Sequence, residues 1–417
     1  MASKQVSKKK ISLDSSYIHD YDRTLERLES RMDEQMELDN RKIVKDYDQD
    51  MIIQTIGKAN RIKHLSILIK LNNRFKNKPW EEYTERDIKT FIAETMNQYS
   101  SKGDETHTAA DHKKVVKIFF RWKYYGHRSS KITYKKFKVM DAPITEDILI
   151  AKVRNKLVRE DLLTLEEKSR LLHACGPNLR NRMMLAVKFE AGDRAGELLT
   201  AQLKHVKSDE FGAIIHVDGK TGARPIRLIE SAPDLFKWIN AHPFKEDGDA
   251  PLCMDLGHKS YGMPMKYATA NKMLKDVAKK AEITKRIYFT LMRHSQITET
   301  ANYLTEQQLK KRYGWTPGSE MPATYVHLVD ADVDDAILKH HGIKKEKIKE
   351  DKRLPRICSV CQTPNSWDVN ICDNCGKPLS LEAAINAEEE QKQQMSDKVQ
   401  DIVEKILNKK GISLSDQ

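Results

Sequence analysis

The stretch Gly212-Ala-Ile-Ile-His-Val-Asp-Gly-Lys-Thr-Gly-Ala-Arg-Pro-Ile-Arg-Leu-Ile229 decides the fold class. Two β-rich runs flank a turn from Asp218 to Gly222, which reads as a hairpin. The chain on either side has helical periodicity instead. Upstream, Thr164-Leu-Glu-Glu167 is a capping box followed by Leu171 and Leu172; the Glu three residues after the Thr closes the reciprocal hydrogen bonds that start a helix. A mainly α domain with a small β-hairpin or sheet, an α+β fold, is expected over residues 160–345.

Nearer the N-terminus, residues 51–128 carry helical patterns and little that reads as strand. Arg61-Ile-Lys-His-Leu-Ser-Ile-Leu-Ile-Lys-Leu71 has an apolar stripe with basic flanks. Thr84 can cap a helix through Ile88, Phe91 and Ile92, and Val115-Val-Lys-Ile-Phe-Phe-Arg-Trp122 makes another amphipathic face. Residues 51–135 hold 18 Lys or Arg against 8 Asp or Glu, whereas residues 1–50 hold 10 against 12. The positive charge of the chain, +12 overall, is therefore concentrated in one small helical domain. A polyanion partner requires such a segment, and a solvated lysine-rich face would also produce it.

Residues 1–50 read as a charged tail and helix. From Tyr21, the apolar Leu25, Leu28 and Met32 recur at steps of four and three, which suits a short coiled-coil or docking helix and equally a free solvated one. Residues 136–159 contain Pro143 and no sustained period, and read as an interdomain linker able to lie along DNA phosphates. A length of 417 residues fits two globular domains with smaller appendages. No apolar run approaches the roughly 20 residues of a membrane helix, and the lysines near the start have no apolar stretch behind them. The expected setting is the cytoplasm, without a membrane partner.

Cys358-Ser-Val-Cys361 and Cys372-Asp-Asn-Cys375 make two knuckles within an expected module at 355–380. Four thiolates can close a tetrahedral Zn²⁺ shell with no open position, so the metal would be structural; a redox pair or iron is the alternative. Such zinc ribbons bind nucleic acid or protein. Residues 381–417 return to a charged helix in which Val399, Ile402, Val403 and Ile406 give an apolar edge for a partner.

Breaking and resealing DNA without a metal or nucleotide needs a nucleophile that conserves phosphodiester energy, cations that clamp the phosphate, and an acid for the leaving hydroxyl. Ala191-Gly-Asp-Arg-Ala-Gly-Glu-Leu-Leu199 breaks at Gly192 and restarts with Asp193 as a cap, putting Arg194 in a first helical turn beside free backbone N–H groups. Lys220 sits in the hairpin turn. Thr290-Leu-Met-Arg-His-Ser295 supplies Arg293, and Tyr313-Gly-Trp-Thr-Pro-Gly-Ser-Glu-Met-Pro-Ala-Thr-Tyr-Val-His-Leu328 supplies Trp315 and Tyr325.

In this order the strings resemble the motifs of tyrosine recombinases of the phage integrase type, over roughly residues 50–345. The resemblance implies a SAM-like helical core-binding domain followed by a catalytic domain. It implies that Tyr325 attacks a scissile phosphate to form a 3′-phosphotyrosyl link, with Arg194 and Arg293 as clamps, Lys220 as the acid and Trp315 in support. It also implies double-stranded DNA as partner, a homo-tetramer on two DNA sites, and neither ATP nor a catalytic cofactor. One departure is plain: the family motif has His where this chain has Thr290, and threonine is no base near neutral pH. His294 and His327 are the nearby histidines. The run Tyr325 to Lys339, ending at Gly342 and followed by the four cysteines, is similar to archaeal integrases of mobile elements. The rival readings are a type IB topoisomerase-like nicking-closing enzyme and a catalytically inactive DNA-binding protein.

Overall fold

The computed structural model describes residues 13–100, 105–126, 141–151, 153, 159–326, 341 and 353–409. The chain divides into two compact units, 1–157 and 158–417, and is mostly helical with a small antiparallel sheet.

The first unit holds α1 (Ser15–His19), α2 (Tyr21–Gln35), α3 (Leu38–Ile53), α4 (Lys58–Arg74), α5 (Glu85–Tyr99) and α6 (His107–Tyr125). Thr84 caps α5 as expected, in a capping box with Asp87. The boundary expected at residue 50 is not a packing boundary. Leu25, Leu28, Met32, Val44, Tyr47 and Met51 are buried in the same core as Leu65, Leu68, Trp80, Phe119 and Phe120, so the heptad-like seam of α2 is spent inside the fold and offers no coiled-coil surface. Asn40 pins α3 at depth: its side chain accepts from the Trp80 backbone N–H at 3.2 Å and donates to Asn72 at 3.0 Å. Part of the expected linker also belongs here. Ala142 and Ile148 are buried in this core, and Asp141 forms ion pairs with Lys117 and Arg121 of α6.

The second unit carries α7 (Leu165–His173), α8 (Leu179–Ala191), α9 (Ala195–Leu199), α10 (Ala232–Ala241), α11 (Tyr267–Lys280), α12 (Phe289–Thr300), α13 (Glu306–Tyr313) and α14 (Met321–Val326). The Thr164 capping box opens α7. The expected hairpin is β2 (Gly212–Gly219) and β3 (Gly222–Leu228), joined by Lys220 and Thr221, with β1 (Val206–Asp209) adding a third antiparallel strand on the outer side of β2. Ala213, Ile215 and Val217 pair with Leu228, Ile226 and Arg224, and all six are buried. The charged member of that inward row, Arg224, belongs to the site described below.

After residue 352 the chain forms β4 (Arg356–Ile357), β5 (Pro364–Asn365) and α15 (Leu381–Lys409). The four-cysteine module is docked on its own unit rather than free. The Asp368 side chain is fully covered and receives Arg182 of α8 at 2.5 Å, while Lys237 of α10 pairs with Asp373 at 2.7 Å. Arg353 reaches Glu230 at 3.1 Å and also Glu299 of α12. Helix α15 leaves Met395, Val399, Ile402 and Val403 exposed. Among the described residues no helix is long and apolar enough to cross a membrane.

Candidate active site

Two turns and the hairpin tip build the site. Helix α8 ends at Gly192 with φ 57°, and a Cβ there would lie 2.8 Å from Tyr313 Cε1. Both the left-handed backbone and the close approach demand glycine. Asp193, expected as a helix cap, is instead buried against the equally buried Lys188 at 2.9 Å. Burial raises its carboxyl and lowers the Lys188 ammonium, each countered by the other's charge. The cap position falls to Arg194, whose backbone is extended and whose N–H donates to Glu197 Oε2 at 2.8 Å. Arg194 thus lies just ahead of the helix rather than in its first turn. Its guanidinium donates to Glu197 Oε1 at 2.8 Å and to the Gly314 carbonyl at 3.1 Å, with 36% of the side chain exposed.

Arg293 comes from the buried face of α12. It donates to the Gly192 carbonyl at 2.9 Å and the Tyr313 carbonyl at 2.8 Å, and lies over the rings of Tyr313 and Trp315. Burial first, then the neighbouring Arg194 charge, lowers it to about 10. It remains cationic near neutrality, and two cations held by fixed carbonyls form a preorganised anion cradle.

The hairpin is moored to the same turn. Thr221 Oγ1 donates to the Gly314 carbonyl at 3.0 Å, the acceptor that Arg194 also uses. Gly314 has φ 61°, and a Cβ there would meet Arg224 Nη1 at 2.8 Å. Lys220, beside Thr221, is exposed at the tip. The structure therefore brings Lys220, Arg194, Arg293 and Trp315 to one region.

Behind them lies an ion pair that sequence reading missed. Glu197 accepts from Nη1 and Nη2 of buried Arg224, at 3.0 and 2.7 Å. The available signal was the alternation of β3, which puts an arginine on the inward-facing register. Burial would raise the Glu197 carboxyl, but the hydrogen bonds from Arg224 and Arg194 prevail and hold it at about 2. A depressed carboxyl contributes stability above its ordinary value and loses it as pH falls toward the folded one. The wild-type unfolding free energy from urea titrations should therefore drop between about pH 4.5 and 2, by up to about 3 kcal/mol, more steeply than that of Glu197→Gln. Parallel pH curves for the two proteins would contradict this.

Tyr325 is only 2% exposed. Its Oη lies 2.6 Å from His294 Nδ1, and Trp315 stacks on its ring at 5.8 Å and 20°. Burial raises the phenol to about 12 against the pull of Arg293. Burial and then Arg293 lower His294. Thr290 is exposed on α12. His327, the run to Lys339 and Gly342 lie outside the described residues.

The four cysteines also converge, with all Sγ atoms within 4.8 Å of one another. Cys358 to Cys375 and Cys361 to Cys372 are each 3.6 Å, close to the roughly 3.8 Å edge of a tetrahedron with zinc–sulfur bonds of about 2.3 Å. Gln362 and Gly376, each following a knuckle, both adopt positive φ and donate back to Cys358 and Cys372. Buried Asn365 joins the halves by accepting from Asp373 N–H. The donor set fits a metal.

Residues 161–332 match the phage integrase family profile. No curated protein matches the chain. Among solved structures, it is similar to the XerH site-specific recombinase bound to palindromic difH substrate in a post-cleavage complex, with 14% identity, a TM-score of 0.53, and coverage of 79% of this chain and 92% of that one. It is also similar to a lambda integrase tetramer bound to a Holliday junction, with 14% identity, a TM-score of 0.51, and coverage of 74% and 79%. At these identities the likeness is one of fold.

Proposed function

With residues 161–332 forming a phage integrase family domain as the premise, we propose that the chain cuts and rejoins DNA through Tyr325. It is a site-specific DNA recombinase. One observation carries the residue assignment: the turn carbonyls of Gly192, Tyr313 and Gly314 hold Arg194 and Arg293 together, and Trp315 stacks both on Arg293 and on Tyr325.

Arg194 and Arg293 take the nonbridging oxygens of the scissile phosphate and stabilise the charge that builds as Tyr325 Oη attacks. Lys220 protonates the leaving 5′ oxygen. Tyr325 is 2% exposed, so the groups that cover it must open for a phosphate to reach Oη. The partner duplex's 5′ hydroxyl then reverses the reaction. The first unit is the SAM-like core-binding domain, its basic helical segment contacting phosphates of double-stranded DNA. The working form is a homo-tetramer on two sites in the cytoplasm, without a catalytic cofactor. The test is covalent capture of the protein on a nicked suicide substrate, followed by recombination of two sites. Capture with relaxation of one duplex and no two-site product would select the type IB topoisomerase-like reading, and absence of any adduct the inactive DNA-binding one.

The cysteine module holds structural Zn²⁺, and its place after the tyrosine domain supports an integrase of archaeal type from a mobile element. Its ties to α8 and α12 put it against the helices that lead to the two arginines. Because so short a segment folds with its metal, chelation is expected to remove about one Zn²⁺ per chain and lower the melting temperature of the second unit. Asp368→Ala should reproduce part of that fall in zinc-loaded protein. An unchanged melting curve after metal loss would sink this docking role. Cleavage itself should persist in the zinc-free chain below its lowered melting point, since no cysteine lies in the arginine and tyrosine cluster.

A further inference from the structure

We propose that His294 is the proton acceptor for Tyr325 in strand cleavage, in place of the histidine for which this chain has Thr290. The inference rests on the reading of Tyr325 as nucleophile. Nδ1 of His294 stands 2.6 Å from Tyr325 Oη, within direct proton-transfer reach. The rings lie 5.6 Å apart at 33°, and Trp315 covers the tyrosine from its own side. Thr290, at the position where the motif carries its histidine, is exposed and has no basic atom. His294 directly follows Arg293 on α12, so one helix delivers both the phosphate clamp and the base.

The charge environment suits the role. The groups that bear on this pair are Arg293 from α12 and Tyr313 from α13. Burial and the Arg293 cation keep the imidazole neutral near pH 7, the form that accepts a proton. Burial also holds the phenol at about 12, so spontaneous phenolate is scarce and a base is needed. With the ring proton on Nε2, the Nδ1 lone pair takes the phenolic proton as the Oη–P bond forms. The P–O5′ bond breaks, and its oxygen takes a proton from Lys220. On rejoining, the incoming 5′ hydroxyl gives its proton to Lys220 and attacks phosphorus, the P–Oη bond breaks, and the imidazolium returns its proton to Oη. Phosphorus remains a diester throughout and nothing is oxidised.

The test is the single-turnover rate of adduct formation on a nicked suicide substrate across pH 5.5 to 9.5, for wild type, His294→Gln and His294→Ala, with melting curves to verify folding. The wild-type rate should rise through the depressed histidine value and level off by neutrality. Both variants should be slower at pH 7 by about 10² to 10⁴-fold. Their rates should then climb about tenfold per pH unit as hydroxide supplies the base, so that the deficit narrows with pH, and imidazole should partly rescue His294→Ala. A deficit constant across pH, or none, overturns the proposal while leaving the nucleophile assignment intact. Failure of wild type to form an adduct at Tyr325 instead removes the reading on which it rests.

Discussion

Tyr325→Phe should form no covalent adduct with a nicked suicide substrate and exchange no strands, yet bind its DNA site almost as tightly as wild type. Only one oxygen is lost, and it is the atom that attacks phosphorus. The ring remains to stack on Trp315 at about the present 5.8 Å, so the local fold should hold, and losing the bond to His294 should cost about 1 kcal/mol of stability. Rate and affinity are thereby separated. Gel-resolved adduct and a binding titration on the same preparation measure both, and adduct formation by the Phe variant would exclude Tyr325.

The second large effect is expected at the two arginines. Arg194→Ala and Arg293→Ala should each slow single-turnover cleavage by about 10²- to 10³-fold or more, the usual consequence of removing a preorganised donor to developing negative charge. Their stabilities should differ. Arg194 is a third exposed, so its loss should leave the melting temperature nearly unchanged. Buried Arg293 satisfies the carbonyls of Gly192 and Tyr313, and removing it leaves both without that partner at a cost of about 1–3 kcal/mol each. Arg293→Lys keeps a cation but loses the fork that spans both carbonyls, and should recover stability only in part. Wild-type cleavage by either Ala variant would show that these residues do not hold the phosphate.

The candidate residues of the proposed site could be picked out because the signals that mark them are local to short strings. A glycine break before Arg194, a turn lysine, the arginine of α12, and the Trp315 to Tyr325 segment can each be found without knowing what packs on what. The cap at Thr84 and the capping box at Thr164 were legible for the same reason, since their hydrogen bonds close within four residues. The paired cysteines were legible as a candidate metal shell by spacing alone, and their four Sγ atoms do converge. The first unit was harder. Its α2 seam of Leu25, Leu28 and Met32 has the same spacing whether it faces a partner helix or its own core, and only the packing against α4 within that core decides.

The sequence by itself determined the helical periods, the hairpin, the four-thiolate spacing and the order of the candidate groups, all set by interactions between residues a few positions apart. The tertiary structure decided everything that depends on long-range contact. It turned Asp193 from a helix cap into the partner of Lys188, joined Glu197 to an arginine 27 residues away, and laid Asp368 of the cysteine module on α8. It also brought His294 to Tyr325 across 31 residues. No periodicity encodes such pairings. Each exists because burial makes an unpartnered polar group costly, and the partner that meets it is whichever one the packing of distant helices brings within about 3 Å.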